Sequence, residues 1–238
     1  HKQTKIWIYI LLAVILAAVG DYCLRYHLII PEFIAFEEKE ADKKMGAISD
    51  ALQREAFHLG NQACDWAVWD DMYDYVASPS TSFATSNFRH ESLSASGIDL
   101  VYVCDSNGKI IWGSSMDPTQ KQLVLLPEFE QKELLRHRSL FDFRSSEYIY
   151  GLMNTSKGVI LVGSHQILTS AQQGPSRGTV ILGKFLTSSI LEKIAEQTRT
   201  QFKAREIPTL TAVESSRWLA FQKNKYVYDR SDQNILSG

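Results

Sequence analysis

Fifteen consecutive residues without a charge or a strongly polar side chain, Ile6 to Gly20 (IWIYILLAVILAAVG), constrain this chain more than any other feature. At ~1.5 Å rise per residue the run makes roughly 22 Å of helix, short of a hydrocarbon core of about 30 Å. Tyr22, Cys23 and Leu24 close that gap, leaving Asp21 and Arg25 near the far headgroups. Lys2 and Lys5 precede the run, where their stems can reach the near interface. The positive-inside rule then predicts a cytoplasmic N-terminus and an extracytoplasmic chain beyond Asp21. Ala18-Val19-Gly20 also fits a small-x-small cleavage site, so a secreted product released after Gly20 stays open as an alternative. A soluble core helix fits less well, because nothing polar marks a solvent face over four turns. The chain opens on His1 rather than Met, as expected of a fragment or a processed form.

Composition narrows the rest. With 25 Lys plus Arg against 27 Asp plus Glu, the formal charge of −2 lacks the cation excess that phosphate backbones demand, so no nucleic-acid partner is expected. Three cysteines in 238 residues are too few for a disulfide scaffold. A mean hydropathy of −0.16 excludes a multi-span membrane protein.

From about Pro31 to Val76 the chain reads as one long helix, or two in line. Met45, Ile48, Leu52, Leu59, Trp66, Trp69, Tyr73 and Val76 fall on a 3-4 spacing that also takes in Glu55 and Gln62. Such a seam packs helices, and its polar members can fix register or oligomer state. The first half is expected to pair between chains and the aromatic second half to lie on a sheet; a single amphipathic helix on its own sheet is the alternative. Ser78-Pro79-Ser80-Thr81-Ser82 should end it. Ile98–Cys104 and Lys109–Trp112 read as a hairpin around Asn107-Gly108, and Tyr148–Met153 and Val159–Ile167 as a second. Between them Pro127 opens a short polar helix, EFEQKELLRHR. Thr179–Leu182 is a fifth strand, and the capping-box spacing of Ser189 and Glu192 opens a helix to about Thr198. Phe202–Ile207 and Tyr226–Tyr228 are weaker strand candidates. Hairpin-joined strands flanked by helices make an antiparallel α+β fold.

The densest chemical cluster is Asp65-Trp66-Ala67-Val68-Trp69-Asp70-Asp71-Met72-Tyr73-Asp74-Tyr75. On one helix Trp66, Trp69 and Tyr73 share a face. A catalytic reading would pair Asp70 with Asp65 or Asp71 as acid and base, but consecutive carboxylates point about 100° apart and no third group completes a site. Aromatic packing beneath a solvated acidic face is the plain reading. Between the two, Trp66, Trp69, Asp70 and Tyr73 could wall a small-ligand pocket, with Tyr102, Tyr150 and His165 reaching in from strands. Gly178–Lys184 matches G-x-x-x-x-G-K, but Phe185 stands where magnesium needs Ser or Thr, and the intervening residues are a β-branched strand. Asp105-x-Asn107-Gly108 is no calcium loop. The six histidines (His1, His27, His58, His90, His137, His165) are scattered, so no metal and no cofactor are expected. Cys64 and Cys104 could pair in an oxidising compartment.

Three blocks in order, DWAVWDDMYDYV, GIDLVYVCDSNGKIIWG and SHQILTSAQQGPSRGTVILGKFL, resemble the fourth type of the CHASE family, extracellular sensing domains associated with cyclases and histidine kinases. The matching residues are Asp65, Ala67, Trp69, Asp70, Asp71 and Tyr73; then Ile98, Asp99, Asp105 and Gly108; then Gly174, Pro175, Gly178, Gly183 and Leu186. The resemblance covers roughly Phe36 to Thr200. It implies a PAS/Cache-like sheet carried on a membrane-emergent helix, set between two spans and feeding a diguanylate cyclase, with or without a phosphodiesterase, or a histidine kinase. The family motifs fix no ligand, and their glycines are expected to serve turns and close backbone approach.

The expected organisation is therefore a cytoplasmic segment 1–5, a span and juxtamembrane segment 6–30, a signalling helix 31–77, and an extracytoplasmic sensor 78–238 cut before a second span. The chain itself is not expected to be an enzyme; a secreted or membrane-anchored small-molecule binding module without an output domain is the alternative to a receptor input. Its expected partners are an unknown small molecule, a second copy docked through the membrane-proximal helix, and the bilayer of an inner membrane.

Overall fold

The computed structural model of the chain describes residues 2–143, 149–202, 227–228 and 236–237. The apolar run lies in α1 (Lys2–Leu24), which continues through a π turn (Arg25–Ile29) into α2 (Ile30–Ala67) as one rod. This is a helix long and apolar enough to cross a membrane, and its side chains from 6 to 30 are exposed all round. The π turn has a local cause. Pro31 has no N–H to give the carbonyl of His27, and its ring crowds that group. The turn widens instead, with the Ile30 N–H donating to the Arg25 carbonyl five residues back.

Helix α2 buries Ile48, Ala51, Ala56, Leu59, Gly60, Ala63 and Ala67. The contact stripe is rotated from the expected seam onto its small residues, because Ala and Gly let the helix backbone approach a sheet that bulky side chains would hold off. Gln62 and Trp66 flank the stripe, and Glu55 turns to Lys184 at 3.6 Å. The expectation that the first half of the seam pairs between chains needs correction at its upper end. Met45, Ile48, Ala51 and Leu52 are taken within the chain by Ile190 and Ile194 of α7 (Ser188–Thr198) and by Phe202.

The rod breaks at Val68 and Trp69, the latter in extended backbone (φ −150°, ψ 126°), and resumes as α3 (Asp70–Ala77). The segment between the end of α3 and Ile98 folds into α4 (Thr81–Asn87), capped by Ser80 accepting from the Phe83 N–H, and α5 (His90–Ala95). Six antiparallel strands follow: β1 (Leu100–Asp105), β2 (Ile110–Asp117), β3 (Gln122–Leu123), β4 (Ile149–Thr155), β5 (Gly158–Gln166) and β6 (Gly178–Phe185). They lie in the order β3-β2-β1-β6-β5-β4, the PAS/Cache-like α+β sheet that the resemblance implied. In place of one polar helix after Pro127 there are three short pieces: a 3-10 turn at Pro127–Phe129, α6 (Gln131–Leu134) and a second 3-10 turn at Arg138–Phe141. Helix α7 starts two residues earlier than the Ser189–Glu192 box suggests, with Thr187 as N-cap and no side-chain cap bond. A separate pair, β7 (Val227–Tyr228) and β8 (Leu236–Ser237), includes part of the Tyr226–Tyr228 candidate. Phe202 is in no strand, and the remainder of Phe202–Ile207 lies outside the described residues.

Strand alternation sorts the core into two layers. Val101, Val103, Leu161, Val180 and Leu182 face α2, α3 and the α4–α5 segment. Leu100, Tyr102, Cys104, Ile160, Val162 and Ile181 face Leu126, Phe129, Leu134 and Leu140 on the other side. Cys104 is thus in the layer opposite α2, and no disulfide joins it to Cys64; that expectation is corrected.

Candidate functional site

The first motif block is the joint between rod and sheet. At the break, the Leu168 N–H donates to the Ala67 carbonyl at 3.2 Å, and Val68 forms a parallel bridge with Leu168. Asp70 and Ser170 bond reciprocally: the Ser170 N–H donates to Asp70 Oδ1 at 2.9 Å, and the Asp70 N–H to Ser170 Oγ at 3.1 Å. The Tyr73 hydroxyl donates to the Pro175 carbonyl at 3.0 Å. Arg177 lies over the Tyr73 ring, 3.8 Å from its centroid, and its Nη1 donates to the Tyr73 carbonyl and to Asp74 Oδ1. Every one of these contacts ties the α2–α3 break to the loop between β5 and β6, about a hundred residues later. An extended Trp69 is what releases the carbonyls and N–H groups of the break to find such partners.

The remaining motif residues anchor the sheet. Asp99 Oδ2 accepts the Phe185 N–H at 2.8 Å, and burial pushes its carboxyl above the ordinary aspartate range despite Lys184 nearby. Asp105 Oδ1 accepts from the N–H groups of Asn107 and Lys109 across the hairpin turn, where Gly108 takes φ +75°. Ile98 is buried. Gly178 packs on the Cys104 backbone, and a side-chain carbon on Gly183 would lie 3.0 Å from Leu100 Cβ. The Gly174–Pro175 peptide is cis.

The structure divides the seven candidate ligand residues among different places. Trp66, Trp69 and Tyr73 do not share one helix face, since the break turns the chain between them. Trp66 stacks on Phe88 at 6.0 Å, Trp69 packs on Phe83 at 5.4 Å, and Tyr73 and Asp70 are held by the β5–β6 loop. Tyr102 lies in the opposite layer, bonded to Ser115 Oγ at 3.3 Å, and burial pushes its phenol up. Tyr150 is pressed between Gly60 and Phe57 of α2. His165 is buried, its Nδ1 2.8 Å from the Gln166 carbonyl. One pocket walled by all of these is therefore corrected. The acid–base reading fails on geometry as well: Asp65, Asp70 and Asp71 are exposed, and Asp70 is engaged by backbone. Among the described residues no group of three His, Cys, Asp or Glu side chains could hold a metal ion.

What lies beside the joint is a groove of about 440 Å³ between the start of α4 and β2. Its lining includes the aromatic residues Tyr75, Phe88 and Trp112 and the hydroxyl residues Ser80, Thr81 and Thr85. Phe88 is stacked between Trp66 and Trp112, the latter at 4.2 Å. None of these six was among the ligand residues expected from the sequence. The available signal was the pair of aromatics, Phe83 and Phe88, inside an otherwise polar segment.

Comparison with known proteins bears on this arrangement. The model of the CHASE4 domain matches residues 51–205. The methanogenesis regulatory histidine kinase FilI of Methanothrix harundinacea (strain 6Ac) is 25% identical over 174 residues, which cover 71% of this chain and 19% of the kinase. Among solved structures, the extracellular domain of vpHK1S-Z8 superposes with a TM-score of 0.48 at 12% identity, over 71% of this chain and 64% of that one. The periplasmic domain of LuxQ from Vibrio cholerae superposes at 0.40 and 14% identity, over 68% and 70%. The family match spans the sheet end of the rod, the joint, the whole six-stranded sheet and α7, and by it the chain belongs to the CHASE4 domain family.

Proposed function

We propose that this chain is the extracytoplasmic sensing input of a transmembrane signalling receptor, anchored in a prokaryotic inner membrane by the 6–30 segment. Its output is a histidine kinase, as in the Methanothrix relative, with a diguanylate cyclase as the other output known to accompany the family. The observation that carries this reading is the joint at Val68–Trp69. The family's densest motif holds the sheet's β5–β6 loop to the end of the rod that leads into the apolar run. A ligand that favours one arrangement of the loop thereby biases the rod, by as much as its affinities for the two arrangements differ. The exposed turns of α2 between Pro31 and Lys44 are the surface for a second copy, since α7 covers the turns above them.

The test is a topology and cross-linking experiment in membranes. Alkaline phosphatase fused after Gln201 is expected to be active, and a Lys39→Cys variant in a Cys23→Ser background is expected to form a disulfide-linked dimer under mild oxidation. An inactive phosphatase fusion would overturn the topology. A chain that stays monomeric under oxidation would overturn the pairing.

A further inference from the structure

We propose that the groove between α4 and the edge of β2 is the ligand site of this sensor, and that it takes an uncharged, planar ring compound bearing hydroxyl groups. This deepens the sensing reading and rests on it for its biological meaning. Four observations carry it. The groove, at about 440 Å³, is in the size range of small-molecule pockets, roughly 300–1,000 Å³. Of its aromatic lining, Tyr75 and Phe88 are buried and already stacked on Phe83, Trp66 and Trp112, so half-buried Trp112 is the ring on which a flat compound stacks, with the other two presenting their edges. The lining also includes Ser80, Thr81 and Thr85, from the cap and the first half of α4. Two of these hydroxyls are already oriented by backbone: Ser80 Oγ accepts from the Phe83 N–H, and Thr85 Oγ1 donates to the Thr81 carbonyl. Each keeps lone-pair capacity for a donor on a ligand. Finally, no charged side chain is among the described residues that line the groove, so a phosphate or carboxylate would find no cationic partner there.

The site is also placed to report occupancy. Beta strand β2 pairs with β3 only at Met116 and Asp117, so at Ile111 and Trp112 it has β1 alone as a strand neighbour among the described residues. On the other side Phe88 passes the contact to Trp66 of α2 through a stacked pair, two residues before the rod breaks. A ring seated against Trp112 therefore bears, through Phe88 and Trp66, on the layer that fixes the end of the signalling helix.

The test uses the full chain in lipid nanodiscs, with adenosine as probe, read by saturation-transfer NMR and titration. Adenosine is expected to bind, and Ala84→Trp, which fills the groove, to weaken it at least tenfold. Because Ala84→Trp could disturb packing, Thr85→Val is the second variant. It removes one hydroxyl at constant shape and is expected to weaken adenosine by roughly fivefold with an unchanged melting temperature. AMP is expected to bind no more tightly than adenosine, and glucose to bind more weakly. Absence of adenosine binding, or binding indifferent to both variants, would overturn the site. Tighter AMP, or glucose equal to adenosine, would overturn the ligand class. None of these results depends on topology or pairing, so failure here is distinct from failure of the receptor reading.

Discussion

Gly163 of β5 lies directly against the backbone of α2 at Gly60: a side-chain carbon on Gly163 would be 2.6 Å from the Gly60 nitrogen and 2.6 Å from the Leu59 carbonyl carbon. From the helix side, Gly60 has room for a Cβ only at 3.4 Å from the Tyr150 side chain. The rod is seated on the sheet here by backbone against backbone, with no room for a side chain on Gly163. A joint this close transmits small movements of β5 to α2, because packed interfaces shift between discrete arrangements rather than deform smoothly.

Gly163→Ala is accordingly expected to destabilise the fold by about 1–3 kcal/mol, the range for an overpacked core site. Gly151→Ala, on β4 with nothing within 4 Å of its added carbon, is expected to stay within about 0.5 kcal/mol of the parent. Urea unfolding followed by circular dichroism compares the two. Equal effects would show that the helix rides higher than the backbone contact implies.

Arg177 makes three contacts at the joint, and they are unequal. Asp74 is 80% exposed on its side chain, so the ion pair at 3.0 Å is largely screened and Asp74→Ala is expected to cost less than about 1 kcal/mol. The Tyr73 ring and carbonyl are the contacts that order the loop. Arg177→Ala is expected to cost about 1–3 kcal/mol, and Arg177→Lys to recover little, because a compact ammonium cannot lie flat on a ring while donating sideways. The same melts decide it; full recovery in the Lys variant would reduce the residue to a point charge.

Asp99 gives a pH dependence with a defined sign. Burial holds its carboxyl above the ordinary value, so the folded state binds its proton more tightly than the unfolded chain does. Stability from this group therefore falls as pH rises from the unfolded value, about 4, through the raised folded one, and the cost is complete at neutral pH. Asn keeps an oxygen to accept the Phe185 N–H without the buried charge. Asp99→Asn is expected to raise the melting temperature at pH 7, with the advantage vanishing toward pH ~3.5. A gain independent of pH would mean that desolvation is not its source.

The parts of this fold legible in the sequence are those set by local chemistry. Asn107-Gly108 marks a hairpin because a turn needs a residue at positive φ there, and the Ile6–Gly20 run marks an apolar helix by composition alone. The seam on α2 was legible as helix but not in its rotation, since a 3.5-residue count weights bulky residues and overlooks Ala56, Gly60 and Ala63, whose smallness matters only once a sheet lies above them. The break at Val68 has only a weak local signal, the acidic first turn Asp70-Asp71 of α3. No proline or glycine stands there, and the extended backbone is held by Leu168 and Ser170 from a distant loop. The groove escaped for the same reason: Tyr75, Phe88 and Trp112 come from α3, the end of α4 and β2, and no motif spacing joins them.

Cys104 offers the most direct check on the two-layer core. It is fully buried in the layer opposite α2, and burial together with the neighbouring Asp105 pushes its thiol up to about 12. Only the thiolate attacks a disulfide or a maleimide, and at pH 8 a thiol of that value is ionised in roughly one molecule in 10⁴. In a Cys23→Ser, Cys64→Ser variant, Cys104 is expected to be silent to a thiol reagent in the folded chain and to react only as fast as the protein unfolds. The same shift has a stability sign: the folded chain keeps a proton that the unfolded thiol releases above about 8.5, so stability should decline from that pH upward, and less so in Cys104→Ala. Rapid labelling of the native chain at pH 8, with the melting temperature unchanged, would place Cys104 at the surface and undo the assignment of strand faces on which both the joint and the groove depend.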